Sequence, residues 1–183
     1  MFQVTVQTIN KTRRGIINDY REPELIKRCQ QGEIAAFRDI YDLHSTMLYS
    51  IAMRMLQIKE DAEDALQNCF TNMYRGIGQF RGQSKFSSYL VRILMNCCYD
   101  ILAKRRKDYE TEQEHAALDS QSEWSLSLEK AITLLPLKMR ECFILFAVEG
   151  FKQNEIADML EISEGAVKAH IFQAKKKLRE LLK

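Results

Sequence analysis

The chain is short of the residues that punctuate sheet proteins. Seven glycines and two prolines in 183 residues leave few breaks for the many turns of a β-fold, so helix is favoured before any periodicity is counted. No apolar run reaches the roughly 20 residues that a membrane-spanning helix needs. The opening MFQVTVQTINKTRRG lacks the apolar centre of a signal peptide, and a cytoplasmic protein without direct membrane insertion is expected. Cysteine is present but unorganised. The five (Cys29, Cys69, Cys97, Cys98, Cys142) are odd in number and form no C-x-x-C pair, which argues against a disulfide framework and suits a reducing compartment. Scattered Cys and His lack zinc-ligand spacing, so neither metal nor cofactor is expected. A thiol redox sensor or enzyme would have to use Cys97 and Cys98, yet neighbouring side chains on a helix point apart.

What is present is apolar periodicity and segregated charge. Hydrophobic residues make up 46% of the chain and charged ones 28%, enough for packed cores in a soluble protein of one ordinary domain or two small ones. The net charge of +2 hides local imbalance. Lys104, Arg105, Arg106 and Lys107 form one basic cluster. Residues 108 to 123 hold six acids and no lysine or arginine, and from Lys168 onward six lysines and arginines face one Glu180. Such patches argue for a polyanionic partner more than the total does.

Helical spacing begins after Pro23, a residue suited to a first turn. Leu25, Ile26 and Cys29 form a stripe that Gly32 ends. Ile34, Phe37, Ile40, Tyr41, Met47, Leu48, Ile51 and Met55 continue at intervals of three and four. Ala62, Leu66, Cys69, Phe70 and Met73 mark the next helix, with Asp61, Asp64, Asn68 and Asn72 on its other side, until Gly76 and Gly78. A long helix is predicted from about Phe86 to Arg106, burying Phe86, Tyr89, Leu90, Ile93, Leu94, Cys97 and Ile101. Its polar stripe would carry Ser88, Arg92, Asn96, Tyr99 and Arg106. The segment DYETEQEHAALDSQSE cannot bury enough surface to offset its ordering. The expected organisation is all-α: a poorly ordered arm over 1–21, a helical domain over 22–107, a flexible acidic linker over 108–124, and a second helical domain over 125–183. The second holds about four helices, broken near Pro136, at Gly150 and before Ser163.

Within it, NEIADMLEISEGAVKAH reads as a helix-turn-helix. Ile156, Ala157 and Leu160 stripe a short helix, small Ala157 permits a close crossing, Ile162 plugs the turn, and Ser163 can cap the next helix. Val167, Ile171, Ala174 and Leu178 face inward. A recognition helix presents its N-terminal part to base edges and its flanks to phosphates. The reading set is therefore Ser163, Glu164, Gly165, Lys168, Ala169, His170 and Gln173, with Lys175 and Lys176 behind. His170 belongs at the surface or beside a phosphate rather than on a metal. The stretch alone also resembles the output domain of LuxR-type response regulators, but the upstream half shows none of the buried strands of a receiver. A stand-alone helix-turn-helix regulator is the alternative reading.

Two longer stretches carry a more specific resemblance. DAEDALQNCFTNMYRGIGQFRGQSKFSSYLVRILMNCCYDILAKRRK is similar to the second conserved region of bacterial RNA polymerase sigma factors of the extracytoplasmic-function group within the sigma-70 family. LPLKMRECFILFAVEGFKQNEIADMLEISEGAVKAHIFQAKKKL is similar to their fourth region, in the family's order. The resemblance implies an alternative sigma factor without catalytic residues or small-molecule substrate. Asp61, Asp64, Gln67 and Asn68 would dock on core RNA polymerase. Lys85, Ser88, Tyr89, Arg92, Asn96, Tyr99, Arg105 and Arg106 would open and hold the −10 element. The C-terminal domain would read the −35 duplex, and an anti-sigma factor is an expected partner. Tyr89 stands where the family usually has tryptophan, and His170 and Gln173 where arginine is frequent, so no relative's promoter sequence carries over.

Overall fold

The computed structural model describes residues 22–111 and 127–182. The expected arm over 1–21 and the linker residues 112–124 lie outside them. Helix α1 spans 22–30, with Pro23 in its first turn, and Gly32 leaves it at φ +83°. Helix α2 (Ile34–Leu56) stops at Gln57, a left-handed residue at φ 64°. Helix α3 (Lys59–Gly76) opens on Glu60 and Asp61, acids that suit the positive end of a helix dipole. A short 3-10 turn, Ile77–Gln79, leads through a loop into α4 (Phe86–Thr111). Helices α2, α3 and α4 pack on one another, and Ile51, Met55, Cys69, Leu90 and Leu94 are buried between them.

The second unit begins with α5 (Leu128–Thr133), whose Ser127 hydroxyl accepts from the Lys130 N–H at 3.4 Å. Helix α6 (Leu137–Phe143) loosens into a π-type stretch, Ile144–Val148. Gly150, at φ +79°, reverses the chain there, and the Phe151 N–H returns to the Leu145 carbonyl at 3.0 Å; only glycine takes that backbone without strain. Helix α7 (Gln153–Leu160) ends on left-handed Glu161 at φ 53°. The Ile162 N–H reaches back to the Ala157 carbonyl at 3.1 Å, and the Ser163 hydroxyl caps α8 (Glu164–Leu181) by accepting from the Ala166 N–H at 3.1 Å. The breaks near Pro136, at Gly150 and before Ser163 fall where the sequence placed them, and no strand occurs among the described residues.

Three expectations change. Helix α4 runs through Thr111, past the expected end at Arg106 and into the segment read as linker. Val91, Met95 and Cys98 are buried as well as the expected stripe. The cause is packing on two flanks: α2 and α3 cover one side of α4, and α7 of the second unit meets another. Ile34 and Tyr41, read as inward residues, are 78% and 45% exposed.

The two units touch through polar contacts. Arg54 of α2 forks onto Glu129 of α5 at 3.1 and 3.2 Å. Arg140 of α6 donates to the Met55 carbonyl at 3.1 Å, and to the Leu135 carbonyl of its own unit at 3.0 Å. Leu94→Ala, at the centre of the first core, is expected to lower the unfolding free energy by about 2–5 kcal/mol. Lys176→Ala, on the exposed face of α8, should change it by less than about 0.5 kcal/mol. Urea denaturation followed by circular dichroism measures both.

Candidate nucleic-acid interface

The helix-turn-helix presents most of its expected reading face. Ser163, Glu164, Gly165, Lys168, Ala169, Gln173, Lys175 and Lys176 are all exposed, while Val167, Ile171, Ala174 and Leu178 are buried. The face is already charge-balanced in part. Lys168 pairs with Glu164 one turn earlier at 2.9 Å, and the Lys175 ammonium lies 5.2 Å from the Phe146 ring centroid. Both contacts are exposed and weak, so a phosphate or base can displace them at little cost.

Two residues of α8 depart from the sequence reading. His170 is half-buried, and its Nδ1 is buried without a hydrogen-bond partner. It interacts electrostatically with Glu141, a fully buried carboxylate on α6. Phe172, which sequence reasoning passed over, is 70% exposed. It stands one turn beyond Lys168 on the outward face. The signal was available: once Val167, Ile171, Ala174 and Leu178 define the inward side, Phe172 has no place in the core. An exposed phenyl on such a face is suited to the methyl group of thymine.

A second site lies on the first unit. Gln79, Phe80, Arg81, Gln83 and Ser84, from the turn and loop before α4, converge with Tyr89 and Arg92 on a pocket of about 410 Å³. The floor is aromatic. Phe80 lies 4.9 Å from Tyr89 and 5.2 Å from Phe86, centroid to centroid. The Tyr89 hydroxyl lies 3.0 Å from where a Cβ at Gly76 would be, so a side chain at residue 76 would press on this ring at the end of α3. Gln30 of α1 steadies the turn, donating to the carbonyls of Ile77 at 3.1 Å and Phe80 at 2.9 Å. The pocket thus combines π faces, amide groups and two guanidinium-bearing residues, the groups that an unstacked base and its backbone need.

The other residues expected at this site are spread along α4. Lys85, Arg92 and Asn96 are exposed. Ser88, placed by periodicity on the polar stripe, is instead buried, and its hydroxyl makes no hydrogen bond; the two-sided packing of α4 takes that position into the core. Tyr99 is half-buried against Lys138 of α6, whose ammonium lies 4.7 Å from the ring centroid. Arg105 turns back to form an ion pair with Asp61 and to donate to the Leu56 carbonyl at 3.1 Å. Arg106 is exposed near the end of the helix.

Of the acidic and amide face of α3, Asp64, Gln67 and Asn68 are exposed, whereas Asp61 is partly buried in its pair with Arg105. Beside that face lies a groove of about 790 Å³ between α2 and α3, in which Ile34, Phe37, Tyr41, Leu66, Phe70 and Tyr74 supply apolar surface. Sequence reasoning missed the groove because it assigned Ile34 and Tyr41 to the core. A contiguous exposed apolar patch rimmed by polar groups is suited to docking a partner.

All five cysteines are buried and unpaired, and burial pushes their thiols up, to about 11 for Cys29 and Cys142 and about 12 for Cys98. Cys69 and Cys97 are raised by burial as well. Thiols held in that state are poor nucleophiles, and no cluster with metal-ligand geometry occurs among the described residues.

Among the described residues the chain is all-helical and forms two units, with a helix-turn-helix on one and a polar pocket lined by Phe80 and Tyr89 on the other. The comparisons with known proteins give the family. Residues 40–108 match the family model described as Sigma-70 region 2, and residues 125–178 match that of Sigma-70, region 4. The chain is 31% identical over 166 residues to the ECF RNA polymerase sigma factor SigM of Mycobacterium tuberculosis, covering 88% of this chain and 84% of that one. It is 30% identical over 177 residues to the ECF RNA polymerase sigma factor SigW of Bacillus subtilis, covering 86% and 95%. Its fold is similar to that of the sigma factor RpoE from Bartonella quintana, solved with the anti-sigma factor NepR, at a TM-score of 0.69 and 24% identity over 81% of this chain and 98% of that one. The chain belongs to the sigma-70 family, in its extracytoplasmic-function group. It is an alternative sigma factor, a non-enzymatic initiation factor that directs RNA polymerase, and the stand-alone regulator is not favoured.

Glu141 yields a test of the site's electrostatics. Burial pushes its carboxyl above the ordinary 4.5, against Tyr99, Lys138 and His170, which favour the charged form. The folded chain therefore holds this proton more tightly than the unfolded chain. The resulting stability is complete below the ordinary carboxylate value and is lost as pH rises through the raised one. Glu141→Gln removes that titration. The unfolding free energy of the natural chain minus that of the variant is expected to fall as pH increases, measured by urea denaturation over a pH series; a rise would contradict the assignment.

Proposed function

We propose that the two sites divide promoter recognition between them. The α7–α8 unit reads duplex DNA at the −35 element through Lys168, Ala169, Phe172 and Gln173, with Ser163, Lys175 and Lys176 on phosphates. The pocket of Phe80, Arg81, Tyr89 and Arg92 receives an unstacked base of the melted −10 strand, and Lys85, Asn96 and Arg106 draw the strand along α4. Docking on core polymerase uses Asp64, Gln67 and Asn68 together with the apolar groove beside them. Residues 22–107 and 125–183 act as the two functional domains on this reading. The observation that carries it is the polar, aromatic-floored pocket on a unit separate from the helix-turn-helix, because a duplex reader alone has no use for one.

Melting on this account needs no chemical step. Extruding a base costs a few kcal/mol, and stacking on an aromatic face returns about 1–3 kcal/mol per base. The balance comes from phosphate contacts and from docking on polymerase. An anti-sigma partner is part of the proposal, supported by the solved relatives CnrH, bound to the cytosolic domain of CnrY, and RpoE, bound to NepR. No helix among the described residues is long and apolar enough to cross a membrane, and we place the chain with polymerase in the cytoplasm.

Run-off transcription with purified core polymerase across a genomic promoter library tests the whole reading, which fails if no initiation is directed. Asp64→Lys is expected to weaken core binding at least tenfold while leaving helicity unchanged, by titration with labelled core and circular dichroism. Replacing −35 thymines one at a time with uracil, which deletes the methyl group, should lower the affinity of the natural chain at one position. Phe172→Ala should be indifferent to the same replacement. Equal losses in both proteins would remove Phe172 from the reading face.

A further inference from the structure

The turn that leads into the Phe80–Tyr89 pocket has little burial to hold it. Ile77 is buried and Phe80 half-buried, but Gly78, Gln79 and residues 81–85 are exposed. The Phe80 N–H closes the turn on the Ile77 carbonyl at 3.0 Å. A stretch so exposed loosens locally at little cost. Gln30, on α1, adds two ties from 47 and 50 positions earlier. Its Nε2 donates to the Ile77 carbonyl at 3.1 Å and to the Phe80 carbonyl at 2.9 Å. Both partners are acceptors, so only the NH2 end of the amide fits, and its two hydrogens bracket the turn. The helix behind Gln30 is itself anchored. It buries Leu25 and Cys29, Arg28 pairs with Glu33 ahead of α2, and Glu22 lies 2.8 Å from His44 of α2. The His44 ring meets Phe86 edge-on at 5.7 Å, and Phe86 meets Phe80 at 5.2 Å. Both ends of α1 therefore reach the aromatic floor, one through His44 and Phe86, the other through the turn.

We propose that Gln30 is a positioning residue for strand capture: from α1 it fixes the turn that carries Phe80, so that the pocket is formed before a base arrives. The inference rests on the promoter reading given above. A floor assembled only as the base arrives adds its ordering entropy to the opening barrier, and a preformed floor does not. Gln30 is exposed, so its bonds replace bonds to water and add little to the stability of the whole fold. Their effect falls on the local balance between an ordered and a loosened turn. The duplex contacts proposed for α8 lie on the other unit and do not involve this turn. Loss of Gln30 should therefore slow opening and leave duplex binding as it was.

The test uses three variants of the full chain. Gln30→Met keeps the length and neutrality of the side chain but removes its donors, Gln30→Lys keeps a donor, and Gln31→Met is a control at the exposed neighbouring position. Hydrogen exchange followed by mass spectrometry reads the backbone amides of residues 77–84. Permanganate reactivity of unpaired thymines reads the rate at which holoenzyme opens a promoter that the natural chain directs in run-off. Holoenzyme is kept saturating, so that affinity for the closed duplex drops out of the rate. Gln30→Met is expected to speed exchange in the turn and slow opening, each about threefold or more, while amides of the α2 core keep their natural rates. Gln30→Lys should restore most of both, and Gln31→Met should match the natural chain. Natural exchange in Gln30→Met, faster exchange with an unchanged opening rate, or a lysine variant as impaired as the methionine one would overturn the proposal. Run-off on the natural chain judges the promoter reading separately: if it fails, the exchange alone decides whether Gln30 positions the turn.

Discussion

Helix α4 cannot be left in water, and the rest of the molecule follows from that. Leu90 and Leu94 bury against α2 and α3, while Val91, Met95 and Cys98 widen the apolar arc beyond what one neighbour covers. A helix with so wide an arc needs cover on more than one flank. The first unit supplies most of it, and α7 of the second meets what remains. The groups proposed for DNA are what this packing leaves over: the Phe80–Tyr89 pair at its beginning, the exposed Arg92 and Asn96 along it, and the basic residues near its end.

The helices and their ends were legible because single residues punctuate them. Pro23, Gly32, Gly150 and Ser163 each leave a physical mark on the backbone, and the structure uses all four. The helix-turn-helix was legible for the same reason: an inward stripe, a cap and a turn plug constrain one another. What a period does not encode is what covers an apolar face. Ile34 and Tyr41 fit the stripe of α2 as well as Ile40 does, yet they line an open groove. Ser88 fits a polar stripe, yet lies in the core. Pairings across helices were equally hidden. Nothing local announces that Arg105 turns back to Asp61, 44 positions earlier, or that Glu141 lies buried near Tyr99 and His170.

Charge is the chain's means of choosing partners, and it is used sparingly. The cations of the proposed DNA surfaces are matched to nearby groups: Lys168 with Glu164, Lys85 with Glu155, Lys175 over Phe146. Such pairs contribute little to stability, but they set the geometry and the number of counter-charges that a polyanion must displace. The near-neutral total of +2 limits indiscriminate attraction to nucleic acid.

The seat of Tyr89 against Gly76 extends beyond one ring contact. Residue 76 closes α3 and lies outside the pocket lining, yet its missing side chain leaves the phenol oxygen a close seat. A side chain there would press the Tyr89 hydroxyl back by a few tenths of an ångström without altering any residue of the lining. The shape of the pocket is thereby open to revision from behind its surface. Duplicated copies of such a gene could come to differ in this pocket while keeping its lining residues identical.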